Sequence, residues 1–117
     1  MNYRHIQVSP IAGAIGAEIA GINLTGNLPE DTIAGVRAAL LEHLVIFLRD
    51  QDISDEDLAR FGRQFGELAP LPPHRQFPGK FPGLLVVDKK PDDKLNFGWE
   101  WHSDTTHLKV PSLGSIL

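Results

Sequence analysis

His102 and Asp104, two residues apart in Trp101-His102-Ser103-Asp104, are the side chains of this sequence best suited to chemistry. In an extended strand, side chains i and i+2 leave the same face, so an imidazole and a carboxylate at this spacing converge while Ser103 turns away. Together they are two-thirds of the 2-His-1-carboxylate triad, which holds non-haem Fe(II) and leaves positions open for cosubstrate and O2. A bare His-x-Asp is a weak signal. With 5 His among 117 residues such a pair arises by chance, and most surface pairs are only solvated polar groups.

The neighbours have competing readings. Glu100 shares the strand face of His102 and Asp104 and reads as a carboxylate at the pocket rim, in reach of substrate, with direct ligation as the alternative. Trp99 and Trp101 fall on the opposite face with Ser103, where core packing is the simpler role and pocket lining the other. His107 should face away from Asp104 on a strand, and a substitute third ligand is its minor reading. His43 near the end of a helix suits the negative end of the dipole. His5 carries no signal. Arg49 and Asp50 close a strand, where a structural ion pair is the simpler reading.

The elements that must hold these residues follow from pattern. Residues 6–8 and 14–22 read as short extended pieces broken by Gly13, Gly16 and Gly21. Pro29 opens a helix, with Glu30 and Asp31 at its positive end and Ile33, Val36, Leu40, Leu41 and Leu44 as its apolar stripe. Val45-Ile46-Phe47-Leu48 is a continuous β-favouring run, read as a buried strand. Ser54, with Asp57 three residues on, signals a capping box for a second helix with Leu58, Phe61 and Phe65 on one face and Gly66 as its stop. Five prolines in 70–82 mark an irregular loop. Leu84-Leu85-Val86-Val87 reads as a strand, 88–97 as a polar loop and 99–106 as extended. The β-α-β-α-loop-β-β order predicts a sheet fringed by helices.

Composition narrows the classes. A net charge of −4 and no Lys/Arg run argue against nucleic acid. No apolar stretch reaches the ~18 residues that a membrane span needs. No signal peptide pattern opens the chain, so a cytoplasmic setting is expected. The absence of cysteine excludes disulfides, iron–sulfur clusters, Cys-based zinc sites and thiol nucleophiles. No Gly-x-Gly-x-x-Gly or Walker loop supports nucleotide binding. The length suits one domain, and a final segment that stops on apolar residues reads as the front part of a larger domain, spanning 1–117 here.

Five segments together resemble the TauD/TfdA family of Fe(II)/2-oxoglutarate-dependent dioxygenases. They are Ile15-Gly16-Ala17-Glu18-Ile19 with Gly21-Ile22-Asn23-Leu24; Val45-Ile46-Phe47-Leu48-Arg49-Asp50-Gln51; Phe65-Gly66-Glu67-Leu68; Trp101-His102-Ser103-Asp104-Thr105-Thr106; and residues 111–117. They stand in the family's order and spacing along nearly the whole chain. The resemblance implies an α+β chain forming the N-terminal portion of a double-stranded β-helix (jelly-roll) fold with flanking helices. It implies His102 and Asp104 as the first two iron ligands, 2-oxoglutarate and O2 as cosubstrates, and a homo-oligomer in the intact form.

In the family, the third ligand, a His, and the Arg that pairs with the 2-oxoglutarate carboxylate lie downstream of the position matching Leu117. Bidentate Arg is the natural partner for a carboxylate. The taurine-acting pattern after Phe-Gly-Glu-Leu resembles His-Pro-x-Tyr, and here the stretch is Leu71-Pro72-Pro73-His74. Leu71 and His74 thus replace the polar pair that contacts sulfonate and amine, although His74 retains the capacity to bind an anion. The expected activity is hydroxylation of a small acidic or sulfonated organic compound, with cleavage of the hydroxylated product. The alternative is a non-catalytic jelly-roll fragment acting through a partner chain. Loop 70–82 and the polar loop before Trp99 are expected to form a lid over the substrate.

Overall fold

Gly16 sets the first hairpin. Its φ of 99° lies where L side chains are strained, and a Cβ there would come within 3.1 Å of Ile11. In this computed structural model, which describes residues 3–70, 81, 83–94 and 100–117, Ile11 N–H closes the turn on the Gly16 carbonyl at 3.0 Å. The flanking strands β1 (Gln7–Pro10) and β2 (Ala17–Ala20) pair antiparallel, Val8 opposite Ile19 and Ser9 opposite Glu18.

The chain then crosses through α1 (Glu30–His43) and returns as β3 (Ile46–Phe47), which lies parallel to β2 with Ala17 opposite Ile46. The sheet order is β1-β2-β3. A parallel neighbour requires such a crossover, and the helix supplies it. Pro29 stands just before α1, and Glu30 and Asp31 occupy its first turn. The helix ends at Leu44, whose φ of 65° turns the backbone left-handed while its N–H bonds the Leu40 carbonyl at 2.8 Å.

The expected stripe on α1 needs correction. Thr32, Ile33, Val36 and Ala39 are the buried positions, whereas Leu41 and Leu44 are exposed. Residues 32/33, 36 and 39 keep to one side at 3.6 residues per turn, and Leu44 has already left the helix. The expected strand over 45–48 contracts to two residues that are half-buried.

Ser54 caps α2 (Asp55–Arg63) through a complete capping box. The Asp57 N–H donates to Ser54 Oγ at 3.2 Å, and the Ser54 N–H donates to Asp57 Oδ2 at 3.0 Å. Phe61 is buried and meets Phe65 edge-on at 5.1 Å between ring centres. The core gathers Ile6, Ile19, Leu24, Ile33, Val36, Ala39 and Phe61 from both sheet and helices.

Two glutamines and an arginine fasten the loops to this core. Gln51 Oε1 accepts from Leu24 N–H at 3.0 Å, and its Nε2 donates to the Arg49 carbonyl at 2.9 Å. Gln64 Nε2 donates to the Leu28 carbonyl at 2.9 Å. Arg37 donates to the Phe65 carbonyl at 2.6 Å and lies over the Phe65 ring. Arg49 pairs with Glu18 at 2.9 Å across β2 and β3, not with Asp50. The bonds of Gln51, Gln64 and Arg37 satisfy backbone groups that have no strand partner.

The described residues divide into two compact units, Met1–Glu67 and Leu68–Leu117. All of the above belongs to the first. In the second, no described residue is buried. The expected strand at 84–87 is absent: only Leu85 forms a bridge, and Val86 and Val87 are exposed. A strand exists only through a partner, and β propensity alone does not supply one. Gly83 packs so closely on Leu68 that a Cβ would lie 2.6 Å from the Leu68 Cβ. No helix among the described residues is long and apolar enough to cross a membrane.

Candidate metal site

The segment expected to be extended over 99–106 is irregular from Glu100 to Ser103 and then forms a single 3-10 turn, Thr105–His107. Asp104 precedes that turn without spending its carboxylate on a cap. His102 and Asp104 do come together, but not on a strand. His102 Nε2 and Asp104 Oδ1 stand 3.4 Å apart because turns, not a pleat, fold the backbone around them.

The His102 ring is oriented from behind. Its Nδ1 lies 2.7 Å from the Glu100 carbonyl oxygen. A carbonyl only accepts, so Nδ1 donates to it, and Nε2 is the ring nitrogen that faces Asp104. This is the arrangement by which a backbone carbonyl fixes the tautomer of a metal-binding histidine. Asp104 is held as well, since Ser115 Oγ donates to Oδ2 at 3.3 Å and leaves Oδ1 facing the imidazole.

With the imidazole neutral, two electron-pair donors face each other across 3.4 Å; with it protonated, the two form an ion pair. A direct N–H to carboxylate bond is shorter, about 2.7–2.9 Å. An ion about 2.1 Å from each donor could bridge the gap. The side chains are more than half exposed, so an ion reaches them without displacing packed residues. The donor set, one imidazole nitrogen and one carboxylate oxygen, suits Fe(II). The residues fit a metal to this extent.

Among the described residues, no third His, Cys, Asp or Glu joins the pair to make a group of three. Neither Glu100 nor His107 completes it. His107 lies at the end of the 3-10 turn rather than on a strand. Trp101 is fully exposed, against the expectation of core packing, because the strand that would have turned it inward does not form. Leu71, His74 and Trp99 lie outside the described residues, as does most of the expected lid. The contacts of Ser115 with Asp104, and of Ser112 N–H with Thr105 Oγ1 at 2.8 Å, carried no sequence signal that we read. They join residues seven and eleven positions apart in a segment that is irregular but for one 3-10 turn, where no helix or strand repeat places side chains.

The family model described as taurine catabolism dioxygenase TauD, TfdA family matches residues 7–117. An alpha-ketoglutarate-dependent sulfate ester dioxygenase of Pseudomonas putida is 34% identical over 113 residues, which is 96% of this chain and 36% of that protein. An alkylsulfatase of Acinetobacter baylyi is 31% identical over 115 residues, 97% of this chain and 35% of that protein. The crystal structure of a taurine dioxygenase from Burkholderia xenovorans superimposes with a TM-score of 0.60 at 38% identity, over 68% of this chain and 28% of that one. The chain spans about a third of the length of these curated relatives. An unbroken match through β1, the helices and the His102–Asp104 turn leaves one conclusion: the chain belongs to the TauD/TfdA dioxygenase family.

Proposed function

We propose that this chain supplies the first two metal donors, His102 Nε2 and Asp104 Oδ1, of an Fe(II)/2-oxoglutarate-dependent dioxygenase of jelly-roll fold. The carrying observation is their 3.4 Å approach with the histidine tautomer set by the Glu100 carbonyl. A third ligand and the cation that binds the 2-oxoglutarate carboxylate come, in this reading, from residues outside these 117. When bound, iron with 2-oxoglutarate and O2 supplies the oxidising power for hydroxylating a C–H bond. The chain's own part is to fix two donors on one side and leave the opposite side open.

The substrate class is a small organic sulfur oxyanion, and two relatives favour a sulfate ester, being named a sulfate ester dioxygenase and an alkylsulfatase. Hydroxylation of the carbon that bears the ester oxygen gives a product that collapses to a carbonyl compound and sulfate. Leu71, in place of a polar contact, suits an alkyl chain, and His74 the anionic head. Glu100 stands at the rim of the site in this reading.

The test uses the protein at its full natural length, supplied with Fe(II), 2-oxoglutarate and a medium-chain alkyl sulfate, with succinate and sulfate release measured together. Stoichiometric release of both is expected, and neither should appear with His102→Ala or Asp104→Ala. Near-normal turnover in either variant would sink the assignment. Succinate release coupled to taurine but not to alkyl sulfates would overturn the sulfate-ester reading alone.

A further inference from the structure

Asp104 offers two oxygens, and what the second one does decides how many positions the carboxylate occupies. In the structure Oδ2 accepts a hydrogen bond from Ser115 Oγ at 3.3 Å while Oδ1 faces His102 Nε2. Ser115 comes from eleven residues downstream and is brought back by a separate bond, Ser112 N–H to Thr105 Oγ1 at 2.8 Å. The 3-10 turn between them, closed by Leu108 N–H on the Thr105 carbonyl at 2.9 Å, sets the direction of return. Thus 104–115 is a loop tied at its base by two hydroxyl groups.

We infer that Ser115 is a positioning residue for the metal centre: its hydroxyl holds Asp104 Oδ2 and keeps the carboxylate a one-oxygen ligand. The inference rests on the reading of His102 and Asp104 as metal donors and adds how the carboxylate is used. An unrestrained carboxylate can rotate about Cβ–Cγ and chelate with both oxygens, taking a position that a cosubstrate needs. A hydroxyl donor on one oxygen lowers its electron density and fixes the rotation, leaving Oδ1 as the better donor. The Glu100 carbonyl, accepting from Nδ1, fixes the rotation of the imidazole from the other side. Each donor is then oriented by one hydrogen bond from beyond the metal, one from backbone and one from side chain.

The experiment compares the full-length protein with Ser115→Ala, Ser115→Thr and His102→Ala. Mn(II) alone is titrated calorimetrically, and the visible absorption of the Co(II)-saturated protein is recorded. Ser115 is exposed, and equal circular dichroism melts will show that Ser115→Ala folds as the parent does. Loss of the hydroxyl should shift Mn(II) affinity roughly 10-fold from the parental value, the lower end for removing a group that orients a ligand, and Ser115→Thr should restore it. The Co(II) d–d bands of Ser115→Ala should lose intensity as the coordination number rises, a change that a structural role remote from the metal would not produce. Parental affinity and spectrum in Ser115→Ala, with binding lost in His102→Ala, overturn the role of Ser115 and leave the metal site standing. Failure of Ser115→Thr to restore what Ser115→Ala loses also overturns it, because the hydroxyl is then not the cause. Unchanged Mn(II) affinity in His102→Ala overturns the metal site itself.

Discussion

Within Met1–Glu67, sheet and helices close over Ile6, Ile19, Leu24, Ile33, Val36, Ala39 and Phe61, while no described residue of Leu68–Leu117 is buried. The second unit carries the candidate ligands, and it displays Trp101 at 104% and Val110 at 82% exposure. Its order rests on turns and hydroxyl bonds, and that of the first on apolar burial. Two kinds of stabilisation imply two kinds of mutational response. Changes in the core should move stability and spare metal affinity in the folded state. Changes at the His102–Asp104 turn should do the reverse.

The largest expected effect is on chemistry. Asp104→Ala in the full-length protein should reduce alkyl sulfate turnover below detection. Because the side chain is exposed and outside the core, the thermal unfolding midpoint should correspond to a stability change within about 0.5 kcal/mol. A variant that loses activity by unfolding would erase the distinction between the two units.

Next comes the core. Phe61 is 4% exposed and packs edge-on against Phe65. Phe61→Ala leaves a cavity between α2 and the rest of the core and should cost about 3–5 kcal/mol in denaturant unfolding. A loss below about 1 kcal/mol would mean that α2 does not close the core.

How far each unit could be read in advance follows the same division. The capping box at Ser54 and the acidic first turn after Pro29 depend on residues within one helical turn of each other, and both stand where the pattern put them. The position of β2 between its glycines was legible for the same reason. Val45 and Leu48 fall outside β3, and 84–87 forms no strand, because strand limits depend on a partner far away in sequence. Gln51 and Gln64 hold loops 27 and 36 residues distant, which no local period encodes. At the candidate site the convergence of His102 and Asp104 was legible and the backbone was not. A His-x-Asp pair converges on a strand, but also in a turn where the Glu100 carbonyl pulls the ring round. The α+β class survives these differences, since it needs only the elements of the first unit.

A smaller effect tests the α2 cap and its pH dependence. The Asp57 carboxyl is held down at about 2, first by the Ser54 hydroxyl and then by Arg60 and the Ser54 backbone N–H. A folded-state pKa below the unfolded value stabilises the fold above the unfolded pKa, and the contribution fades as pH falls toward about 2. Acid titration of stability should therefore show a loss between about pH 4 and pH 2 that is smaller in Ser54→Ala. At neutral pH the same substitution should cost about 1 kcal/mol. An unaltered acid limb in Ser54→Ala would show that other carboxylates set the acid sensitivity.

The smallest effect should be a gain. Among the described residues, two non-glycine residues have left-handed backbone, Leu44 at φ 65° and Asp50 at φ 56°. Aspartate tolerates this region through its short polar side chain, but leucine does not, and the conformation costs roughly 1–2 kcal/mol. Leu44 recovers little of that cost by packing, since it is 63% exposed just after α1. Leu44→Gly relieves the strain at the position where helices most often place glycine. It also loosens the unfolded chain, which takes back about 0.4–1 kcal/mol. The balance favours the variant by about 0.5 kcal/mol, read as a small rise in the denaturation midpoint at constant slope. Asp50→Gly should show a smaller gain or a loss, because there is less strain to relieve. Mn(II) affinity should be unchanged in both, as neither residue belongs to the unit that holds His102 and Asp104. Destabilisation by Leu44→Gly would mean that the exposed leucine is covered in the intact protein, and that the surface at the end of α1 belongs to its packing.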